Sequence, residues 1–234
     1  MTDHRSHEHH ITVERSARYL TLGPRDGTAR EIWFVLHGYG QLAAEFIRLF
    51  AALDDGTREI VAPEALNRFY LVGVDVAPAA ERPVGATWMT KEDRLGEIND
   101  YVTYLDAVAS RELQPYARHS TPPRIVVLGF SQGAATAARW IVSGAIRPTH
   151  TVLWGGFLPP DVDPSAARLR ATSVQIVLGS RDRFLSAERL DEEERRLREH
   201  AFPYRLVRYE GGHGIASVTL GEVARSMGGL VPNE

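Results

Sequence analysis

One serine lies between two glycines at the end of an apolar run, in the segment RIVVLGFSQGAATAARW that covers residues 124–140. Where a strand turns abruptly into a helix, the corner residue is strained and its neighbours two positions away must be small. Gly129 and Gly133 occupy those two positions around Ser131. The run IVVL before the serine and AATAARWIV after it predict the strand and the helix. The pattern therefore predicts a nucleophilic serine at position 131.

A serine hydroxyl is a weak nucleophile and needs a base that a third group orients. In folds with this sharp turn, an acid and then a histidine follow the serine, each in a loop after a later strand. Of the histidines after Ser131, His150 begins a predicted strand and His200 ends a charged helix. His213 lies in YEGGHGI, just after the last predicted strand, with glycines on both sides. We therefore predict that His213 is the base.

Several aspartates follow the serine, and their positions distinguish them. Asp182, in VQIVLGSRDRF, comes directly after a predicted buried strand. Asp161 and Asp163 lie in the proline-rich segment LPPDVDPS, and Asp191 lies within a charged helix. We predict that Asp182 orients the histidine.

Acyl transfer also needs two backbone N–H groups that point at the oxygen on which negative charge develops. One comes from the residue after the nucleophile, here Gln132, and the other from a loop after an early strand. The segment FVLHGYGQ ends such a strand, and by position Tyr39 is the better donor. His37 precedes the nucleophile, so we expect it to hold this loop rather than act as a base.

The elements that must position these residues follow from alternating apolar runs and segments of helical period, which favour a mostly parallel sheet covered by helices. Strands are predicted at residues 31–37, 69–76, 124–130, 149–155, 174–180 and 204–210. Most are continuous Val, Ile and Leu runs, as expected of strands buried on both faces. The last, YRLVRYE, alternates and is expected nearer an edge.

Three segments have helical character. One apolar stripe consists of Leu42, Phe46, Leu49, Phe50 and Leu53, and another of Leu95, Ile98, Val102, Leu105 and Val108. Each stripe fits one buried helix face. The segment ERLDEEERRLREH, residues 188–200, is mostly charged and predicts a solvated helix rather than a binding surface. Residues 61–93, rich in proline and aromatic residues, have weak periodicity and fit a loop that carries specificity.

Composition excludes several classes of protein. The 234 residues are 44% hydrophobic and 24% charged, with a net charge of −3. Nucleic acids and anionic membranes both attract a basic excess, which this chain lacks. The chain has no cysteine, so disulfides, zinc–thiolate sites and a cysteine nucleophile are excluded. No apolar run approaches the roughly 20 residues that span a bilayer, and the first residues lack a secretory signal pattern. We therefore expect a cytoplasmic protein without membrane insertion.

The first residues are rich in histidine, with His4, His7, His9 and His10 close together. Such a cluster can take up a transition metal, but a fraying terminus holds no fixed ligand geometry. We predict a flexible tail over residues 1–18, a single domain over residues 19–234, and no metal site.

Taken together, the motifs LHGYG, TWMT, GFSQGA, LGSRD and YEGGHGI resemble the phospholipase/carboxylesterase family of α/β-hydrolases, which includes acyl-protein thioesterases. The resemblance covers roughly residues 31–217. It implies the α/β-hydrolase fold without a large cap domain, a triad of Ser131, Asp182 and His213, and Trp88 near the acyl pocket. It also implies that no metal or cofactor is needed. The chain departs from the family pattern after HGYG and over residues 61–93, where substrates are selected.

The expected function is therefore a serine carboxylesterase that acts on small-molecule esters with small to medium acyl chains. An acyl thioesterase or a peptidase could use the same three residues, although prolyl peptidases usually need an additional gating domain. A non-catalytic protein that binds a small ligand on the same fold is the alternative from another class.

Overall fold

The computed structural model describes residues 6–73, 76 and 78–227. A seven-stranded sheet, parallel except for its first strand, forms the centre, in the order β1-β3-β2-β6-β7-β8-β9. Its strands are β1 (Tyr19–Leu22), β2 (Glu31–Leu36), β3 (Arg58–Pro63), β6 (Arg124–Phe130), β7 (His150–Trp154), β8 (Ser173–Gly179) and β9 (Arg205–Tyr209). A separate hairpin pairs β4 (Asn67–Tyr70) with β5 (Val84–Thr87).

Helices cover both faces of the sheet, because the central strands are apolar on both sides. In β2, Phe34 faces one core and Trp33 faces the other. The first core is closed by α2 (Arg94–Leu113), α3 (Gln132–Ser143), α4 (Ala167–Arg170) and α5 (Ala187–Glu199). The second is closed by α1 (Ala43–Phe46), the 3₁₀ helix Ile47–Leu53 and α6 (Ser217–Met227). Short 3₁₀ helices also occur at Ala79–Glu81 and Gln114–Tyr116. This is the predicted arrangement of a mostly parallel sheet between two helical layers.

Five of the predicted strands are present, and β9 lies at the edge of the sheet as its alternating pattern predicts. The strand predicted at residues 69–76 is wrong. Its first residues belong to the β4–β5 hairpin outside the main sheet, and residues 74 and 75 lie outside the described residues. The main sheet instead takes up β1 and β3, which the sequence analysis did not predict. β3 is a short run that ends in Pro63, and its position depends on pairing with β2.

The first apolar stripe changes period within the structure. After one turn of α1 the chain continues as a 3₁₀ helix, which has about three residues per turn. The buried side chains there are Ile47, Phe50 and Leu53, spaced by three, whereas Leu49 is exposed. In α2 the predicted stripe is buried at Val102, Leu105 and Val108, partly buried at Ile98, and exposed at Leu95 near the helix start.

The described part of the tail, residues 6–18, contains no helix or strand, and His4 lies outside the described residues. Its last residues contact the domain, since Arg18 forms a bidentate ion pair with the buried Glu64 at 2.7 and 2.8 Å. Within the described ranges, no group of three or more His, Asp or Glu residues lies close enough to hold a metal ion. Nor does any helix there combine the length and apolar character that crossing a membrane requires.

Candidate active site

Ser131 lies at the corner between the end of β6 and the first residue of α3. Its backbone has φ 55° and ψ −115°, a region that non-glycine residues rarely adopt. The strained position is fixed from the neighbouring strand, because the Ser131 N–H donates to the Trp154 carbonyl at 2.8 Å. The strand, sharp turn and helix predicted around this serine are therefore all present.

The two flanking glycines are required by close backbone packing. A Cβ on Gly129 would lie 2.1 Å from the Gly133 carbonyl oxygen. A Cβ on Gly133 would lie 2.2 Å from the carbonyl oxygen of Leu36, at the end of β2. Three segments of backbone thus meet at the corner with no room for a methyl group, which positions the serine hydroxyl at the carboxyl end of the sheet.

The structure brings the three predicted residues into one hydrogen-bonded chain. His213 Nε2 lies 2.8 Å from Ser131 Oγ, and His213 Nδ1 lies 2.7 Å from Asp182 Oδ2. The Asp182 side chain is 0% exposed, and its other oxygen accepts the Phe184 N–H at 2.9 Å. A buried carboxylate that accepts from Nδ1 leaves the lone pair of Nε2 directed at the serine hydroxyl. The competing Asp161 instead pairs with Arg139.

Contacts that the sequence analysis missed hold the loop of His213. The Tyr209 hydroxyl lies 2.8 Å from the Gly212 carbonyl oxygen and also contacts that of Gly214. The indole N–H of Trp154 donates to the same Gly214 carbonyl at 2.9 Å. Two side chains, at the ends of the strands on either side of β8, therefore fix the backbone on both sides of His213. The aromatic residues that end β7 and β9 were the available signal in the sequence.

The two predicted backbone donors lie at the start of α3 and in the turn after β2. Gln132 is the first residue of α3, and the first N–H groups of a helix have no partner within it. Tyr39 lies in the turn after β2, between Gly38, whose N–H donates to the Gln41 side chain, and Gly40, whose N–H donates to the Ala86 carbonyl. Within the described residues the Tyr39 N–H makes no hydrogen bond. Tyr39 is 61% exposed.

His37 is buried next to this turn, as its predicted role in holding the loop requires. Its Nδ1 donates to the Gly38 carbonyl at 2.8 Å, and its Nε2 accepts the Ala65 N–H at 3.0 Å. These two contacts fit only the neutral ring, and burial lowers the pKa of His37 from its usual value. His37 therefore connects the turn after β2 to the end of β3 without reaching Ser131.

Trp88 does not line the cavity beside Ser131. It is 1% exposed, packs against the His37 ring at a centroid distance of 5.1 Å, and donates its indole N–H to the His37 carbonyl at 2.8 Å. The Gln132 side chain accepts the Trp88 backbone N–H at 3.1 Å and donates to the Met89 carbonyl at 2.8 Å. Trp88 is thus buried behind the serine turn, which it anchors, and does not lie in the acyl pocket where the resemblance places it.

A cavity of about 330 Å³ opens beside the serine. It is lined by Ser131, Gln132, Ala135, Gly155, Gly156, Phe157, Leu158, Pro159, Pro160, Phe184, Leu185, Arg189, Glu193 and His213. Two residues of α5 are among them, so the helix predicted to be only solvated also contributes to this surface. The loop after β7 forms the apolar wall, and the Arg139–Asp161 ion pair fixes its far end at 2.8 and 2.9 Å. This ion pair holds the pKa of Asp161 well below its usual range.

With this geometry described, the chain can be compared with known proteins. No protein-family model and no curated protein sequence matches it. Solved structures of similar fold include acyl-protein thioesterase 2 of Zea mays, with a TM-score of 0.65 at 17% identity, covering 91% of this chain and 98% of that one. They also include a phospholipase/carboxylesterase of Dyadobacter fermentans, with a TM-score of 0.64 at 19% identity, covering 92% and 98%. A carboxylesterase of Bacillus cereus has a TM-score of 0.60 at 18% identity, covering 90% and 91%.

These similarities define the class of fold, which is that of the α/β-hydrolases. The expected fold is therefore confirmed over most of the chain.

Proposed function

We propose that the chain is a serine hydrolase of the phospholipase/carboxylesterase family that cleaves carboxylic esters with small to medium acyl chains. The observation that carries the proposal is the hydrogen-bonded chain from Asp182 through His213 to Ser131, with distances of 2.7 and 2.8 Å. Esterases and thioesterases among the structures of similar fold support the same class of reaction.

The proposed reaction begins when Ser131 Oγ attacks the ester carbonyl carbon while His213 Nε2 accepts its proton. The buried Asp182 carboxylate keeps the other proton on Nδ1 and stabilises the imidazolium that forms. The N–H groups of Gln132 and Tyr39 donate to the oxygen that becomes negative. His213 then protonates the departing alcohol, which leaves the acyl group on the serine.

Water completes the cycle. His213 accepts a proton from the water molecule that attacks the acyl-enzyme, and returns it to Ser131 when the carboxylic acid leaves. The chemistry needs side chains, backbone N–H groups and water alone. A thioester or a peptide presents the same carbonyl carbon, so the leaving group must be determined by assay.

The test measures hydrolysis of p-nitrophenyl esters from C2 to C16, with the matching thioesters as a second series. Ser131→Ala should reduce kcat by about 10⁶, because a nucleophile of this kind carries most of the rate. Ser217→Ala, at the exposed start of α6, is the matched control and should leave kcat unchanged. A fluorophosphonate probe should label the wild-type chain on the peptide that contains Ser131.

Residual activity of Ser131→Ala within tenfold of the wild type would refute the assignment of the nucleophile. A wild-type protein that neither turns over an ester nor reacts with the probe would favour a non-catalytic ligand-binding protein.

A further inference from the structure

The cavity beside Ser131 is also lined by charged side chains that the proposed reaction does not use. They are Arg189 and Glu193 of α5, four residues apart and therefore on the same face of the helix. Phe184, 51% exposed, lines the same cavity and contacts the His213 ring at a centroid distance of 4.6 Å. A group bound at Ser131 can therefore extend along the cavity toward a cation and an anion.

The anion, Glu193, already has an ion-pair partner. Glu193 pairs with Arg196, whose Nη2 and Nε lie 3.1 and 3.2 Å from Glu193 Oε2. Arg196 also donates to the Pro159 carbonyl at 3.3 Å and to that of Leu158. Glu193 and Arg196 thus form a neutral pair that fixes the apolar wall, and the Glu193 carboxylate is balanced.

The cation, Arg189, differs from Glu193 in its ion pairing. In the described part of the chain, no carboxylate lies within 4.0 Å of its guanidinium. Its Nη1 lies 3.5 Å from the Phe184 carbonyl oxygen, which is the long limit of a hydrogen bond. The Arg183 guanidinium lies 4.9 Å above the ring of Phe184, which is part of the cavity lining. Within the described residues, Arg189 is therefore a cation of the cavity lining that has no carboxylate partner.

The composition of the cavity lining indicates the ligand. The lining combines Ser131 and His213 with the apolar Phe157, Leu158 and two prolines, and with Arg189. A complementary molecule has an ester carbonyl, a short apolar chain and a terminal anion. The planar fork of an arginine matches a carboxylate through two parallel N–H···O bonds.

We propose that the substrates of this site carry a carboxylate at the end of a short apolar chain and that Arg189 binds it. The proposal rests on the proposed ester hydrolysis and names its substrate class. The carboxylate can belong to the acyl part, as in a half-ester of a dicarboxylic acid, or to the alcohol part, as in an esterified hydroxy acid.

Two matched pairs of esters distinguish these sources. For the acyl part, p-nitrophenyl hemiglutarate is compared with p-nitrophenyl 5-methylhexanoate, in which an isopropyl group replaces the carboxylate. For the alcohol part, 4-acetoxybutanoate is compared with 4-methylpentyl acetate. Hydrolysis is followed by absorbance or in a pH-stat, and the rate with Ser131→Ala is subtracted as background.

The wild type should prefer the carboxylate member of one pair. Arg189→Gln should lower kcat/KM for that member about tenfold and change the neutral member less than about twofold, as expected for the loss of a partly exposed, charge-assisted contact. Arg189→Lys should keep part of the preference because it retains the charge without the fork. Arg195→Gln, which removes the same charge from an exposed position of α5 outside the cavity, should have no selective effect.

The failure of each proposal has its own signature. Ser131-dependent hydrolysis of the neutral esters, with equal effects of Arg189→Gln on both members of each pair, would overturn the carboxylate preference and leave the esterase intact. The absence of Ser131-dependent turnover of any ester would overturn the esterase and the substrate class together.

Discussion

A pair of buried carboxyl groups, one on β3 and one on α2, predicts that the free energy of unfolding falls as pH rises. Glu59 of β3 is 2% exposed and accepts the Tyr116 hydroxyl at 3.1 Å. Its neighbour Glu112 accepts the Tyr19 hydroxyl at 2.6 Å and is 3.4 Å from Arg25. Burial, with a smaller contribution from the hydrogen bond and charge of Glu112, raises the pKa of Glu59 from 4.5 to about 7.

The raised pKa converts directly into a free energy of unfolding. In the unfolded chain Glu59 loses its proton near pH 4.5, whereas the folded chain keeps it until about pH 7. The stabilisation that the protonated Glu59 contributes is therefore fully present below about pH 4.5, and it is lost as pH rises through about 7. At about 1.4 kcal/mol for each pKa unit, the loss amounts to about 3 kcal/mol.

Glu59→Gln replaces the protonated acid with a neutral group of the same shape, which can still accept from Tyr116 and donate to Glu112. Urea unfolding should show similar stabilities for the wild type and Glu59→Gln near pH 5. Near pH 8.5 the variant should be more stable by about 3 kcal/mol. Glu222→Gln, at an exposed position of α6, should follow the wild type at every pH. If the free energy of unfolding changed with pH in the same way in the wild type and in Glu59→Gln, the coupling of Glu59 to folding would be refuted.

Three further substitutions test how the serine turn and the histidine loop are held. Gly133→Ala forces a Cβ to within 2.2 Å of the Leu36 carbonyl oxygen and should lower the free energy of unfolding, measured in urea, by more than about 2 kcal/mol. Gly214→Ala is the control and should leave the free energy of unfolding unchanged, because its Cβ meets nothing within 4 Å. Tyr209→Phe removes the hydroxyl that holds the His213 loop and should lower kcat about tenfold with KM unchanged; an unaltered kcat would remove Tyr209 from the positioning of His213. Gln132→Ala leaves the buried Trp88 N–H unpaired and should cost about 2 kcal/mol, and a melting temperature equal to that of the wild type would contradict this contact.

The predicted α/β fold is confirmed because its central strands are long apolar runs, which carry their own signal. β3 was missed because it begins with two charged residues and ends in a proline at the start of a segment of weak periodicity, and it becomes a strand through pairing with β2 and β1. The 3₁₀ helix Ile47–Leu53 shows a different limit, since an apolar stripe fits a period of 3.6 or of 3 over so few residues. Packing decides whether a segment pairs with a partner strand, and it also decides whether a short helix has 3.6 or 3 residues per turn.

The predicted site residues Ser131, His213 and Asp182 lie within hydrogen-bond distance, and their positions follow from a local rule: each lies within four residues after the end of a strand of the sheet. The residues that support them have no such rule. Tyr209 contacts the histidine loop only because β9 is in register with β8, which places its ring under the glycines that follow.

The same distinction separates the proposed reaction from the proposed substrate. The serine corner is held by backbone contacts at Gly129 and Gly133, where even one added methyl group has no room. Another part of the cavity lining is formed by side chains of α5, a mostly exposed helix on which Arg189 can be replaced without disturbing a core. The proposed reaction is therefore tied to the fold, whereas the proposed preference for a charged substrate rests on one exchangeable side chain. Arg189→Gln should accordingly alter which esters are cleaved while urea unfolding remains that of the wild type.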